Sequence, residues 1–135
     1  MTDTALTREQ LKKLAKALED TGDSLRAKAK KAETESEHDI LMIQAINQFN
    51  KALEYNTQSA SLSLTLAKKD AAALVSEMSK ASKRLAKIKK VDDLVYYSGR
   101  ILQAAAMIAS AAAGGGPAIT AAIVSMLAES ADEVS

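Results

Sequence analysis

Apolar residues recur along this chain at the three- and four-residue spacing that is typical of helices. Near the amino end, four leucines share one helical face: Leu11, Leu14, Leu18 and Leu25. Thr7 and Gln10 have the spacing of a capping box, which predicts a helix start. We therefore predict a first helix over about residues 7–33, with a break at Gly22 as the alternative. The continuous helix is favoured because the apolar face continues past the glycine.

A second helix is predicted to begin near Ser36, because Thr34 with Glu37 and Ser36 with Asp39 form two overlapping cap pairs. The apolar positions that follow, which continue an apolar helical face, are Ile40, Ile43, Ile46, Phe49 or Asn50, and Leu53. From Leu53 onwards the apolar and small residues alternate at steps of four and three, as in a coiled coil. This series is Leu53, Thr57, Ala60, Leu64, Ala67, Ala71, Leu74, Met78, Ala81, Leu85 and Ile88.

No glycine or proline occurs between Gly22 and Gly99. We therefore predict one long helix over residues 36–90, about 80 Å in length at the standard rise per residue. The alternative is a break near residues 56–60, where poor helix formers with capping side chains follow one another. The unbroken helix would produce an elongated molecule, and the break would produce a compact up-and-down bundle.

Residues 101–128, which we call the apolar hairpin, carry no charge, although 26% of the chain is charged. Eleven of these residues are alanine, which favours helix. At the centre stand Gly114, Gly115, Gly116 and Pro117. The glycines suit a helix end and the proline suits a first helical turn. We predict helices over about 92–113 and 117–131, joined by this turn.

These elements predict an all-α fold with a single domain over residues 1–135. We expect an elongated antiparallel helical bundle or coiled coil, with a long central helix and the apolar C-terminal hairpin. The composition agrees, since aromatic residues make up 3% and apolar residues 47% of the chain. The absence of cysteine excludes disulfides and thiol chemistry. The first residues lack an apolar signal core, so we expect a cytoplasmic protein or one exported without a classical signal peptide.

A basic stripe precedes the apolar hairpin on one helical face and consists of Lys80, Lys83, Arg84, Lys87 and Lys90. Asp92 and Asp93 then suit the start of a new helix, and two tyrosines follow. Cationic helices are attracted to anionic lipid, and tyrosines favour the membrane interface. The predicted membrane-contacting residues are Lys83, Arg84, Lys87 and Lys90 for headgroups, Tyr96 and Tyr97 for the interface, and Ile108, Ile119, Ile123 and Met126 for the apolar phase.

Two functional hypotheses follow from this pattern. In the first, a non-enzymatic protein hides the apolar hairpin in a bundle or homo-oligomer and then inserts it into a membrane, where it perturbs the bilayer or forms a pore. In the second, a helix-bundle interaction module binds or inhibits a partner protein, and the hairpin is permanent core or subunit interface. A helix that is apolar nearly all round is buried in protein or in lipid, so the pattern permits both. The expected partners are membrane lipid or partner helices, with homo-oligomers in either case.

For metal, phosphate and nucleic-acid binding, the sequence contains only incomplete motifs. His38 is the only histidine, so the Glu35-x-x-His38 spacing, which di-iron bundles use twice, occurs once. The triple glycine follows no predicted strand and precedes no Lys-Ser or Lys-Thr pair, so it is not a phosphate loop. The net charge of +1 and the lack of aromatic residues within the basic stripe do not favour nucleic acid. We therefore expect no enzyme activity, metal, cofactor or small-molecule substrate.

Overall fold

Five helices make up the part of the chain that the computed structural model describes, which is residues 8–58, 68–111 and 117–133. They are α1 (Arg8–Lys30), α2 (Glu35–Gln58), α3 (Lys68–Lys87), α4 (Val91–Ala111) and α5 (Pro117–Glu133). No strand occurs within these ranges, so the all-α prediction is confirmed. The predicted cap at Thr7 and the predicted turn at Gly114, Gly115 and Gly116 lie outside the described residues.

Four of the helices form a closed ring of neighbours in the order α1, α2, α4, α3. α1 packs against both α2 and α3, whereas α2 and α3 do not contact each other within the described residues. α4 closes the ring by packing against α2 and α3, and α5 packs on α3 and α4. The arrangement is therefore a four-helix bundle with a fifth helix on one side.

Two helices, α2 and α3, occupy the range 36–90, over which one long helix was predicted. Between them lies segment 59–67, which is outside the described residues. Asn50 of α2 and Ser79 of α3 both lie beside the same turns of α1, residues 16–23. In one straight helix these two residues would be about 40 Å apart. α2 and α3 therefore lie on opposite sides of α1, which separates them.

The predicted apolar face of α1 is confirmed. Leu14, Leu18 and Leu25 are fully buried, and the helix continues without interruption through Gly22. Gly22 is a point of close approach between α1 and α2, because a Cβ atom there would lie 2.7 Å from Cε1 of Phe49. The missing side chain therefore makes room for the aromatic ring of α2.

We expect Gly22→Ala to leave stability unchanged or lower it, although alanine in a helix is about 1 kcal/mol better than glycine. The new methyl group must push aside the Phe49 ring, over which the Arg26 guanidinium lies 5.5 Å from the ring centre. In a Phe49→Ala background the same change should stabilise the protein by about 1 kcal/mol. Urea unfolding of the four proteins measures this coupling, and equal effects of Gly22→Ala in both backgrounds would contradict it.

The apolar face predicted for α2 is not the face that the bundle buries. Ile40, Ile43, Ile46 and Leu53 are 40%, 57%, 50% and 60% exposed. The buried positions are instead Leu41, Ala45, Gln48, Ala52 and Tyr55. Both sets follow helical spacing, but α1 and α4 cover only the second set, so the isoleucines point away from the bundle. In α3, by contrast, the predicted positions from Leu74 to Leu85 are buried.

The predicted boundary before α2 is confirmed as a capping interaction. The backbone N–H of Glu37 donates to the Thr34 hydroxyl at 3.1 Å, and this hydroxyl donates to the Glu37 carboxylate at 3.3 Å. At α4 the start differs slightly from the prediction. The Leu94 N–H donates to the carbonyl of Lys90, so Asp92 and its neighbour lie in the first turn, where their charge still suits the helix dipole.

Buried polar contacts fix α4 against α2. The side-chain amide of Gln48 donates to the carbonyl of Ser98 at 2.9 Å, and the Tyr55 hydroxyl donates to the carbonyl of Ala105. The Ser98 hydroxyl donates in turn to Oε1 of Gln44 at 3.2 Å. Burial, with a smaller effect of the charge on Glu54, raises the pKa of Tyr55, so its hydroxyl remains a donor. These contacts set the register of the first hairpin arm.

Candidate functional site

One face of each described arm of the apolar hairpin lies in the core of the bundle. Ile101 and Ala104 of α4 and Ile123 and Leu127 of α5 are almost completely buried, and α3 packs on both arms. Met126 is half-buried and packs against the same core. The long helices of the chain therefore shelter these positions. None of the described helices is both long enough and apolar enough to cross a bilayer.

Several predicted hairpin residues lie outside what is described. The turn glycines, Gly114 to Gly116, are among them, and so are the side chains of Ile108 and Ile119. Pro117 is the first residue of α5, as its position in a first helical turn predicts.

The two predicted interface tyrosines have different environments. Tyr96 is half-buried, and the Arg100 guanidinium lies 5.1 Å from the centre of its ring. Tyr97, also on α4, is fully buried on the side that faces Arg84 of α3. Because a lipid interface requires an accessible side chain, Tyr97 does not take the predicted position in this fold. Its spacing from Leu94, Ile101 and Ala104 places it on the buried face instead.

Arg84, which was predicted to face headgroups with the other cations, turns inward to the Tyr97 hydroxyl. The contact with Tyr97 is the main cause that raises the pKa of Arg84, and burial opposes it. Burial in turn raises the pKa of Tyr97, and Arg84 partly offsets this. Arg84 Nη1 and Tyr97 Oη are buried without a well-aligned hydrogen bond in the described residues. The pair therefore places one polar group of α3 and one of the first hairpin arm close together inside the bundle.

The remaining residues of the predicted cation set stay accessible. Lys83 and Lys87 are exposed on α3, and Lys90 is exposed just beyond its end. The structure brings Lys90 together with Lys89 and two lysines at the end of α1, Lys28 and Lys31. We call these four residues and the space between them the lysine cleft, whose volume is about 570 Å³. Sequence reasoning missed it, because the two lysine pairs lie far apart along the chain.

A second surface that sequence reasoning missed is the outer apolar face of α2, which we define as Ile40, Ile43, Ile46 and Leu53. Two polar residues, Asn47 and Asn50, lie between them, and both are uncharged and exposed. Four large aliphatic side chains on one exposed helix face form a contiguous apolar patch, which is uncommon unless it binds something. A sequence signal existed, because the buried set from Leu41 to Tyr55 also alternates at steps of four and three.

Comparison with known proteins was carried out for the whole chain. No family model, curated protein or solved structure matches it. Among the described residues, no group of three or more His, Cys, Asp or Glu side chains could hold a metal ion. The surfaces with distinctive chemistry in the described part of the chain are the outer apolar face of α2 and the lysine cleft.

Proposed function

We propose that this protein is a non-enzymatic helical interaction module, in which the apolar hairpin is permanent core and the outer apolar face of α2 pairs with the same face of a second copy. The observation that supports this proposal is the exposure of four large aliphatic residues on one side of α2. The buried contacts of α4 and α5 support the assignment of the hairpin to the core.

The pattern of the face suits antiparallel pairing of two copies. Ile46 lies near its middle, so antiparallel helices would bring Ile40 of one copy close to Leu53 of the other. Charge does not decide the direction, because Lys51, the only lysine of α2, is already paired with Glu54 at 2.9 Å.

The size of the face predicts a weak dimer. Complete burial of one exposed Ile or Leu stabilises by about 1.5–3 kcal/mol, and these four are already about half covered. Eight such side chains in a dimer therefore contribute roughly 8 kcal/mol, from which an association cost of about 4 kcal/mol, the low end of its range, is subtracted. The remainder of about 4 kcal/mol corresponds to a dissociation constant of about a millimolar.

Sedimentation equilibrium over a range of protein concentrations tests this proposal. We expect the wild type to shift from monomer to dimer as its concentration rises, and Ile43→Asp to remain monomeric because each copy would bury an unpaired charge in the interface. Ala27→Asp is the matched control, since Ala27 is exposed on α1, and it should dimerise like the wild type. A wild type that stays monomeric, or an Ile43→Asp variant that still dimerises, would contradict the proposal.

A second candidate function is membrane insertion of the apolar hairpin, for which the exposed Lys83, Lys87 and Lys90 provide an attachment surface for anionic lipid. Insertion requires α5 to leave α3 and Tyr97 to leave Arg84. Dye release from anionic vesicles at low salt, absent from neutral vesicles, would support this function. Loss of release in a Lys83→Gln/Lys87→Gln variant would assign it to these cations, and an absence of release from any vesicle would exclude it.

A further inference from the structure

The lysine cleft lies at the end of the bundle where α1 ends and α4 begins. Its floor includes Leu41 and Leu94, which are almost completely buried and hold α2 and α4 in place beneath the lysines. Lys28 lies in the last turn of α1 and Lys31 directly after that helix, whereas Lys89 and Lys90 lie in the short connection between α3 and α4. A volume of about 570 Å³ lies within the usual range for small-ligand sites.

The lysines of the cleft are not neutralised by direct ion pairs in the described part of the chain. None of the four lysines forms a salt bridge with another described residue. Three carboxylates also line the cleft, those of Glu33, Glu37 and Asp92. Of these, Glu37 accepts a hydrogen bond from the Thr34 hydroxyl as part of the cap of α2, so its charge is directed to the helix start.

The environment of Lys28 indicates which sign of charge prevails inside the cleft. Burial lowers the pKa of Lys28, and the neighbouring charges of Lys31 and Lys89 lower it further. All three causes oppose the charge on its ammonium group. An anion placed beside the Lys28 ammonium group would offset the repulsion that this group meets.

We propose that the lysine cleft binds a phosphate-bearing anion with two or more negative charges, held between Lys28 and Lys31 on one side and Lys89 and Lys90 on the other. Lysine is a compact cation with three N–H donors, which suits the several oxygens of a phosphate group. The flexible stems of the four side chains allow the amines to converge on one anion. The proposal does not depend on pairing through α2.

Calorimetric titration of the full-length protein with pyrophosphate, at neutral pH and low salt, tests this proposal. We expect saturable binding at one site. Lys28→Gln and Lys89→Gln should each weaken it about tenfold or more, since each removes one charge-assisted contact. Lys12→Gln, which removes an exposed lysine of α1 outside the cleft, should bind like the wild type.

Three further comparisons complete the test. Lys28→Arg should retain binding, because it conserves the charge. Ile43→Asp should also retain it, which separates this proposal from that of the α2 dimer. Lys89 is exposed, so Lys89→Gln tests the site even if Lys28→Gln does not fold. No binding at millimolar pyrophosphate, or an equal loss in Lys12→Gln, would overturn the proposal, since the latter would reveal only the general charge of the surface.

Vesicles distinguish a lipid headgroup from a free anion as the source of the phosphate. If the ligand is a headgroup, vesicles with phosphatidic acid should compete with pyrophosphate and phosphatidylcholine vesicles should not. If the ligand is a free anion, neither kind of vesicle should compete. In both cases Lys89→Gln should weaken the binding of pyrophosphate, and also that of the vesicles where they compete. That loss supports the cleft as the site.

Discussion

Replacement of Ile123 by aspartate is expected to unfold the protein or leave it barely stable. Ile123 is completely buried on α5, which packs against α3 and α4. The aspartate would lose the apolar contacts of the isoleucine and place an unpaired charge in the core. Changes of this kind cost more than about 4 kcal/mol, which is a large fraction of the 5–15 kcal/mol that stabilises a typical domain.

Ala122→Asp is the matched control for this experiment, because Ala122 is adjacent in sequence and exposed on the same helix. We expect it to change the free energy of unfolding by less than about 1 kcal/mol. Guanidinium unfolding followed by circular dichroism measures both variants. If Ile123→Asp had the stability of the wild type, α5 would not be part of the core in solution. The membrane hypothesis for the apolar hairpin would then gain support.

A second large effect is expected for Leu18→Ala. Leu18 is completely buried on α1, the helix that packs between α2 and α3. Removal of its side chain loses buried apolar surface and leaves a cavity, at a cost of about 2–5 kcal/mol. The same substitution at Leu53 should cost less than about 1 kcal/mol, because Leu53 is 60% exposed.

Urea unfolding at low protein concentration compares these two leucine variants under conditions in which the proposed dimer is dissociated. Because both variants lose the same atoms, the difference between them reports the difference in burial. Equal losses would contradict the placement of α2, since they would mean that Leu53 contacts the core. A Leu53→Ala variant that loses stability only at high protein concentration would instead agree with pairing through the outer apolar face of α2.

The sequence predicted α1 and the buried positions of α3, although not α3 as a separate helix, because the polar and apolar residues of these helices separate cleanly onto two sides. In α1, the leucines from Leu14 to Leu25 share one side and exposed lysines such as Lys12 and Lys16 the other. α2 is different, because two series of residues both follow helical spacing. The isoleucines are the more hydrophobic series, yet the buried series contains Gln48 and Tyr55, whose side-chain N–H and O–H groups donate to carbonyls of α4. Packing between distant segments decided which face is buried.

The candidate sites were likewise predictable only where their signal lies within one segment of the chain. The apolar character of residues 101–128 was visible in the sequence, but which helices cover it depends on contacts between distant segments. The inward turn of Arg84 was not predictable from its place in the basic stripe, because only the packing of α4 brings Tyr97 beside it. The lysine cleft likewise joins two pairs of lysines that periodicity within a single helix cannot connect.

The register contacts between α2 and α4 have a consequence for the order in which the chain assembles. Gln48 and Tyr55 each bond a carbonyl 50 residues further along, whereas α1 and α2 are joined by residues 31–34 alone. Short connections close faster than long ones, so the first two helices can associate while the rest of the chain is still being synthesised. Until α4 arrives, the polar ends of Gln48 and Tyr55 bond to water. The first hairpin arm, α4, is thus the late component that excludes water from the inner side of α2.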